Sequence, residues 1–221
     1  MPTAFIIGAS RGIGRELVRQ YLADGWRVIA TARKAEDCEA LACMHAHAYQ
    51  LDVTSAESIA ALAWNLDGEL LDVAVLSAGL YGPRHDAPSQ ADFDAVMHTN
   101  VLAAIRLLPV IAPMVAASRG KLAVISSRMG SIGARSSAGA SLYRASKAAL
   151  NSVLVDTSIA FGPQGATCVA LHPGWVRTDM GSASADLAVE DSVARLRATL
   201  AALSDAANGS FLNYDGTPIP W

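Results

Sequence analysis

Tyr143 and Lys147 stand four residues apart, about one helical turn, so a phenol and an ammonium project from the same face. An ammonium beside a phenol favours phenolate and draws its pKa from about 10 toward neutrality. A phenol tuned that way can give a proton to a carbonyl oxygen or take one from an alcohol. Taken alone the pair is also an ordinary exposed helix turn. A second cluster, Gly8-Ala9-Ser10-Arg11-Gly12-Ile13-Gly14, follows a short apolar run and opens a helical pattern. Glycines there let the chain turn sharply and let a pyrophosphate approach a helix N-terminus, where free N–H groups and the dipole favour anions.

Which dinucleotide is chosen depends on the residues after the second strand. A carboxylate there would bond the adenosine ribose hydroxyls and select NAD. This chain has Thr31-Ala32-Arg33, and Arg11 of the glycine loop can approach the same spot. Two guanidiniums without an acid suit a 2′-phosphate, so NADP is expected over NAD. Asp52, after the third strand, could accept a hydrogen bond from the adenine amino group.

The elements that must position these groups alternate along the chain. Strands are expected at residues 4–7, 27–31, 49–53, 73–76, 121–125, 167–171 and 209–213. Between them lie a helix carrying Ile13, Leu17, Val18 and Leu22, and one opened by a capping box of Thr54 and Glu57. A long helical region covers about 92–117, the Tyr143 helix runs to about 161 and stops at Gly162-Pro163, and a last helix covers about 189–203. Such alternation gives right-handed βαβ units and a parallel sheet covered on both faces. The expected fold is therefore one α/β, Rossmann-like doubly wound domain of residues 1–221 with seven parallel strands. Residues 1–125 would form its cofactor-binding part and 126–221 its catalytic and substrate part. Ligands bind such sheets at the carboxyl ends of strands, and the residues singled out here lie there.

Composition excludes several alternatives. The chain of 221 residues carries a net charge of −3 and no basic block, so neither nucleic acid nor an anionic membrane is an expected partner. No secretory signal is read, since Met1-Pro2-Thr3 leads straight into the first strand. The apolar run 101–117 contains Arg106, Pro109 and Pro113 and reads as a buried helix that the prolines could kink. Three cysteines, Cys38, Cys43 and Cys168, fit a reducing cytoplasm better than a disulfide framework. Cys38, Cys43, His45 and His47 follow no common zinc spacing, so no metal is expected.

With these residues in place the chain resembles the short-chain dehydrogenase/reductase family over its whole length. The resemblance is carried by the glycine loop, Leu51-Asp52-Val53, Ala78-Gly79, Asn100, Ser126-Ser127, the Tyr143/Lys147 pair, and Pro173-Gly174 followed by Thr178. Residues 126–132, 172–180 and 213–218 are similar to the subgroup of sniffer-type carbonyl reductases and C-factor-like proteins, much of which is NADP-dependent. Three departures are visible. Ser77 stands where the family usually has asparagine. The gap between Ser127 and Tyr143 is wider than is common, which should reshape the substrate side without moving the serine. The segment between Thr178 and the last helix is short, implying a small or open lid.

The resemblance implies a mechanism. Gly8, Ser10, Arg11, Gly12, Ile13, Gly14, Arg33, Asp52, Val53, Ala78, Gly79, Pro173, Gly174, Val176 and Thr178 would hold NADPH, together with Asn100, Tyr143 and Lys147. Tyr143 would donate a proton to the carbonyl oxygen, Ser127 would hydrogen-bond that oxygen, and Lys147 would hold the nicotinamide ribose and lower the Tyr143 pKa. Asn100 would hold a water linking Lys147 to solvent. Ser126 and Ser131 rival Ser127 for its role. Tyr81, Met129, Trp175 and Met180 are candidate substrate contacts, or plain packing. The expected function is an NADP(H)-dependent oxidoreductase acting on a small ketone or aldehyde. The alternatives are alcohol oxidation and a nucleotide-binding regulatory or signalling protein with low turnover. Ala145, Ala148, Ala149 and Ser152 form a small-residue face, suited to a homodimer or homotetramer or to packing on the sheet.

Overall fold

Successive residues of a strand point to opposite faces of a sheet, and in this chain both sets are apolar. In the computed structural model, which describes residues 1–84 and 87–221, seven parallel strands form one sheet in the order β3-β2-β1-β4-β5-β6-β7. They are β1 Thr3–Ile7, β2 Arg27–Ala32, β3 His47–Gln50, β4 Val73–Leu76, β5 Lys121–Ile125, β6 Thr167–His172 and β7 Ser210–Asn213. The helices are α1 Gly12–Ala23, α2 Ala35–Cys43, α3 Ala56–Asn65, α4 Gln90–Met97, α5 Ala103–Ala117, α6 Ser141–Phe161 and α7 Val189–Ala202. Phe5, Ile7, Leu122, Val124, Cys168 and Ala170 join one core with residues of α3, α5 and α6. Ala4, Ile6, Ala123, Ile125, Val169 and Leu171 join a second core with α1, α2 and α7. The doubly wound α/β fold is thus the one expected from the alternation.

Several boundaries differ from expectation for local reasons. The third strand ends at Gln50 and does not reach Val53. Asp52 turns the chain outward instead, its Oδ1 accepting from the amide (2.9 Å) and hydroxyl (2.7 Å) of Thr54. Thr54 is therefore engaged, and the cap of α3 is Ser55, whose Oγ accepts from Ser58 N at 3.1 Å.

The long helix also departs from the expected pattern. Helical structure is continuous from Gln90 to Ala117, 28 residues with a mean hydropathy of 1.8 in the most apolar window. By length and composition it could cross a membrane, but 56% of that window is buried inside the fold. Leu107, Leu108, Ile111 and Val115 lie in the first core, so its apolarity is that of a central packing helix. The backbone stays α-helical through Pro109 and Pro113. The irregularity lies upstream, where His98–Leu102 forms one π-turn.

Candidate active site

The sheet order reverses between β1 and β4, so the chain diverges there and leaves a crevice above the strand ends. Its floor is glycine by necessity. Gly8 has a φ of 85°, and a Cβ there would stand 2.7 Å from the backbone of Ala78. A Cβ on Gly14 would stand 2.1 Å from the Gly8 oxygen, so α1 begins as close to the turn as a backbone can come. The N-cap of α1, Arg11, is extended and gives no side-chain cap, which leaves the first amides of the helix for a ligand anion. Thr178 stands over this end, its Cγ2 3.4 Å from the Cβ position of Gly12. An uncapped helix start, closed to side chains and faced by a hydroxyl-bearing residue, fits a dinucleotide pyrophosphate.

Arg11 of the glycine loop is engaged by a carboxylate. Its Nη1 pairs with Asp179 Oδ2 at 2.9 Å, tying the glycine loop to the segment after Thr178 through two exposed side chains. Arg33 is exposed and near enough to Asp52 for its charge to act there. The Thr54 hydrogen bonds hold the Asp52 pKa below its usual range, and the Arg33 charge adds to the effect. Ser10 lies half-buried in the loop, and Val53 packs against the first core. Ser77, in the place of the family's asparagine, donates its amide to Ile7 O at 2.9 Å, and the β1–β4 pairing runs intact to Ile7 and Leu76.

Ser127, Tyr143 and Lys147 come from two elements brought together by a short turn. The 3-10 turn Arg128–Gly130 follows β5 and sits against α6, where a Cβ on Gly130 would meet Lys147 backbone and Cβ at 2.8 Å. Ser127 Oγ accepts from Met129 N at 3.2 Å, and its hydroxyl is near enough to the Tyr143 phenol to act on its pKa. The two rival serines are engaged elsewhere. Ser126 Oγ donates to Asn151 Oδ1 at 2.6 Å, and Ser131 Oγ is bonded to the carbonyls of Pro220 and Trp221. Lys147 lies one turn beyond Tyr143, with Nζ 5.8 Å from the phenol ring centre and donating to Ile125 O at 2.8 Å.

Asn100 is delivered by the π-turn. Its Oδ1 accepts from Leu80 N at 2.7 Å, while Nδ2 donates to Leu80 O at 2.8 Å and Ser146 Oγ at 2.9 Å. One carboxamide thus fixes the chain after Gly79 against α6. Gly79 itself faces Lys147 Nζ and Asn100 Oδ1, 3.4 and 3.5 Å from its Cβ position.

A cleft of about 510 Å³ opens over Tyr143 and Ser127. Ile13, Pro173, Gly174, Val176 and Thr178, expected to hold cofactor, line it, and so do Tyr81, Met129, Trp175 and Met180. The Tyr81 and Tyr143 rings stack with centres 4.5 Å apart. The widened loop before α6 contributes Ala134, Ser136 and Ser137 and leaves Ser127 against Tyr143. Met180, Gly181 and Ser182 supply the lid, a short run of turns without a helix. Sequence reasoning missed Arg84, Arg128, Arg144 and His172, which also line the cleft. Of these, His172 was findable, since it ends β6 directly before Pro173. Cys38 bonds Ala32 O through its thiol at 3.6 Å, and Cys43 is exposed.

The electrostatic balance corrects the expected one. Burial pushes the Tyr143 phenol up to about 12, against which the Ser127 hydroxyl acts downward. Lys147 is 3% exposed, and burial lowers its pKa to about 8. The ammonium does not overcome desolvation of the phenol, because it is turned toward Ile125 O. His172 is lowered to about 4 by burial and by the Arg128 charge, and among the described residues its Nδ1 has no hydrogen-bond partner.

The fold and this site define a class, and the chain belongs to it. The short chain dehydrogenase family model matches residues 2–187. The C-signal protein of Myxococcus xanthus is 36% identical over 165 residues, covering 73% of this chain and 99% of that protein. The carbonyl reductase Sniffer of D. melanogaster superposes with a TM-score of 0.91 at 31% identity over 100% of both chains. A short-chain dehydrogenase/reductase from Burkholderia multivorans with bound NADP gives a TM-score of 0.90 at 32% identity, over 100% of this chain and 99% of that one.

Proposed function

We propose that this oxidoreductase reduces a ketone or aldehyde with NADPH, with Tyr143 as the proton donor. The observation that carries the reading is the buried Tyr143 phenol, sharing with Ser127 a cleft that opens beside the uncapped start of α1. Residues 1–125 supply the cofactor part, and 126–221 supply the catalytic and substrate part. The glycine loop binds the pyrophosphate, Pro173–Val176 and Thr178 border the nicotinamide, and Asp52 and Val53 border the adenine. Arg33 meets the 2′-phosphate, joined by Arg11 once it leaves Asp179. The hydride comes from the bound NADPH. Ser127 orients the carbonyl oxygen and stabilises its developing charge while Tyr143 gives it a proton. Lys147 steadies the tyrosinate that results. Proton return from solvent runs through Lys147 beside Asn100, whose carboxamide holds the surrounding backbone in place.

Reduction calls for a protonated Tyr143 phenol and oxidation for the phenolate, and the ratio of reduced to oxidised cofactor sets which of the two runs. The likeness to C-signal keeps a signalling role in view, but Ser127, Tyr143 and Lys147 are all present and assembled. Self-association belongs to the same proposal, since Ala145 and Ser152 of α6 are exposed and leave a small-residue face for a second copy. Three free cysteines suit a reducing, cytoplasmic setting.

Titration with NADPH and with NADH, followed by tryptophan fluorescence, tests the cofactor assignment. NADPH should bind more tightly, and Arg33→Ala should weaken NADPH by about tenfold or more while NADH changes little. Equal affinities in the wild type would contradict the NADP assignment, and binding of neither would contradict the enzyme reading.

A further inference from the structure

The substrate side of the cleft is lined by basic side chains. Arg84, Arg128 and Arg144 line it, and among the described lining residues none is aspartate or glutamate. Composition does not explain this, because the chain has 20 acidic residues against 17 basic ones. Five basic side chains outside the cleft, Arg11, Arg19, Arg27, Lys34 and Arg197, each pair with a carboxylate. The three arginines of the cleft have no such pair among the described residues.

Arg144 and Arg84 are held by neutral groups, and Arg128 is exposed. Arg144 is only 9% exposed, and its Nε donates to Gly139 O at 2.8 Å and Nη2 to Ser137 Oγ at 3.2 Å. A guanidinium buried against uncharged acceptors leaves a positive field unneutralised in the wall. The Arg84 guanidinium lies 5.0 Å from the Tyr81 ring centre and donates through Nη2 to Met180 O at 3.1 Å. Tyr81 stacks in turn on Tyr143, so Arg84 stands one ring beyond the reacting phenol. Arg128 follows Ser127 directly, and its charge is felt at His172 across the cleft. Three separate elements thus converge on one positive wall, while Tyr81, Met129, Trp175 and Met180 keep the remainder largely apolar.

We propose that the substrate is a carbonyl compound with an apolar body and a carboxylate at its far end, held by Arg84 and Arg128 in the field of Arg144. The proposal rests on the reductase reading for the carbonyl end. Guanidinium is the side chain suited to planar, bidentate recognition of a carboxylate, and a half-enclosed cleft protects the pair from screening. No covalent step is added. The carboxylate only places the carbonyl carbon and oxygen.

The test compares 4-carboxybenzaldehyde with its methyl ester, using NADPH and the full chain. The acid should show a kcat/KM at least about tenfold above the ester, mainly through KM, and added salt should erode the difference. In the double variant Arg84→Gln/Arg128→Gln the acid-to-ester ratio should fall below about threefold, while the NADPH Kd stays within about twofold of wild type. Turnover of the ester as good as that of the acid would overturn the inference and leave the reductase reading intact. A loss of NADPH affinity with the acid preference unchanged would also overturn it, by giving the arginines to the cofactor. If neither aldehyde is turned over, the reductase reading fails, and binding of acid and ester to the NADP-loaded protein is read from tryptophan fluorescence. Tighter binding of the acid, lost in the double variant, would support the inference; equal binding would overturn it.

Discussion

Burial acts on Tyr143 and Lys147 in opposite senses, because the neutral form is an acid in one and a base in the other. It pushes the phenol up to about 12 and the ammonium down to about 8. For Lys147 the folded pKa lies below the unfolded value near 10.5, so between the two the unfolded chain binds more protons and stability rises with pH. Below about 8 the full cost of a buried ammonium is present, on the order of 3 kcal/mol. Lys147→Met should therefore stabilise the fold near pH 7 by up to about that amount, and the advantage should shrink as pH approaches 10. Denaturant unfolding of both proteins at the two pH values checks this. A variant less stable than wild type at pH 7 would mean that the Ile125 hydrogen bond outweighs desolvation. The neighbouring residues show why the spacing of Tyr143 and Lys147 misled: it fixes a shared face, not where Nζ points.

At the scale of elements, the start of α1 is set by backbone contact. Gly14→Ala would bring a Cβ to within 2.1 Å of the Gly8 oxygen, so the helix must shift from the turn that forms the anion site. The expected cost is about 1–3 kcal/mol of stability, with NADPH affinity reduced by about tenfold or more. Gly25→Ala is the matched control: it has a φ of 74° but no atom within 4 Å of the Cβ position. It should lose about 1 kcal/mol through backbone strain and leave NADPH affinity unchanged. Equal NADPH binding by Gly14→Ala and wild type would contradict the role given to this contact. The capping residue of α3 was misjudged by one position, since only the folded chain shows Asp52 engaging Thr54. The π-turn at His98–Leu102 was not legible at all. Its sequence reads as plain helix, and the turn is explained only by Asn100 bonding Leu80 and Ser146 together.

At the scale of the whole molecule, the order of the strands was legible because each is a short apolar run, and so were the helices that carry an apolar stripe; α2, which buries only Leu41, was not. The crevice followed from it, since chemistry-bearing residues fell at strand ends. The walls were not legible. Arg84, Arg128, Arg144 and His172 are far apart in sequence and become one surface only when the loop after β4, the turn after β5, α6 and the end of β6 meet. Their charges leave no periodic signal.

The central claim is that the cleft over Tyr143 transfers hydride and proton to a carbonyl. The most direct measurement follows NADPH consumption and alcohol formation with 4-carboxybenzaldehyde, in wild type and in Tyr143→Phe. Wild type should consume NADPH and form alcohol one for one. Tyr143→Phe should bind NADPH as wild type does but lose about 10²–10⁴-fold in kcat. Undiminished turnover by Tyr143→Phe, or NADPH loss without alcohol in the wild type, would contradict the account.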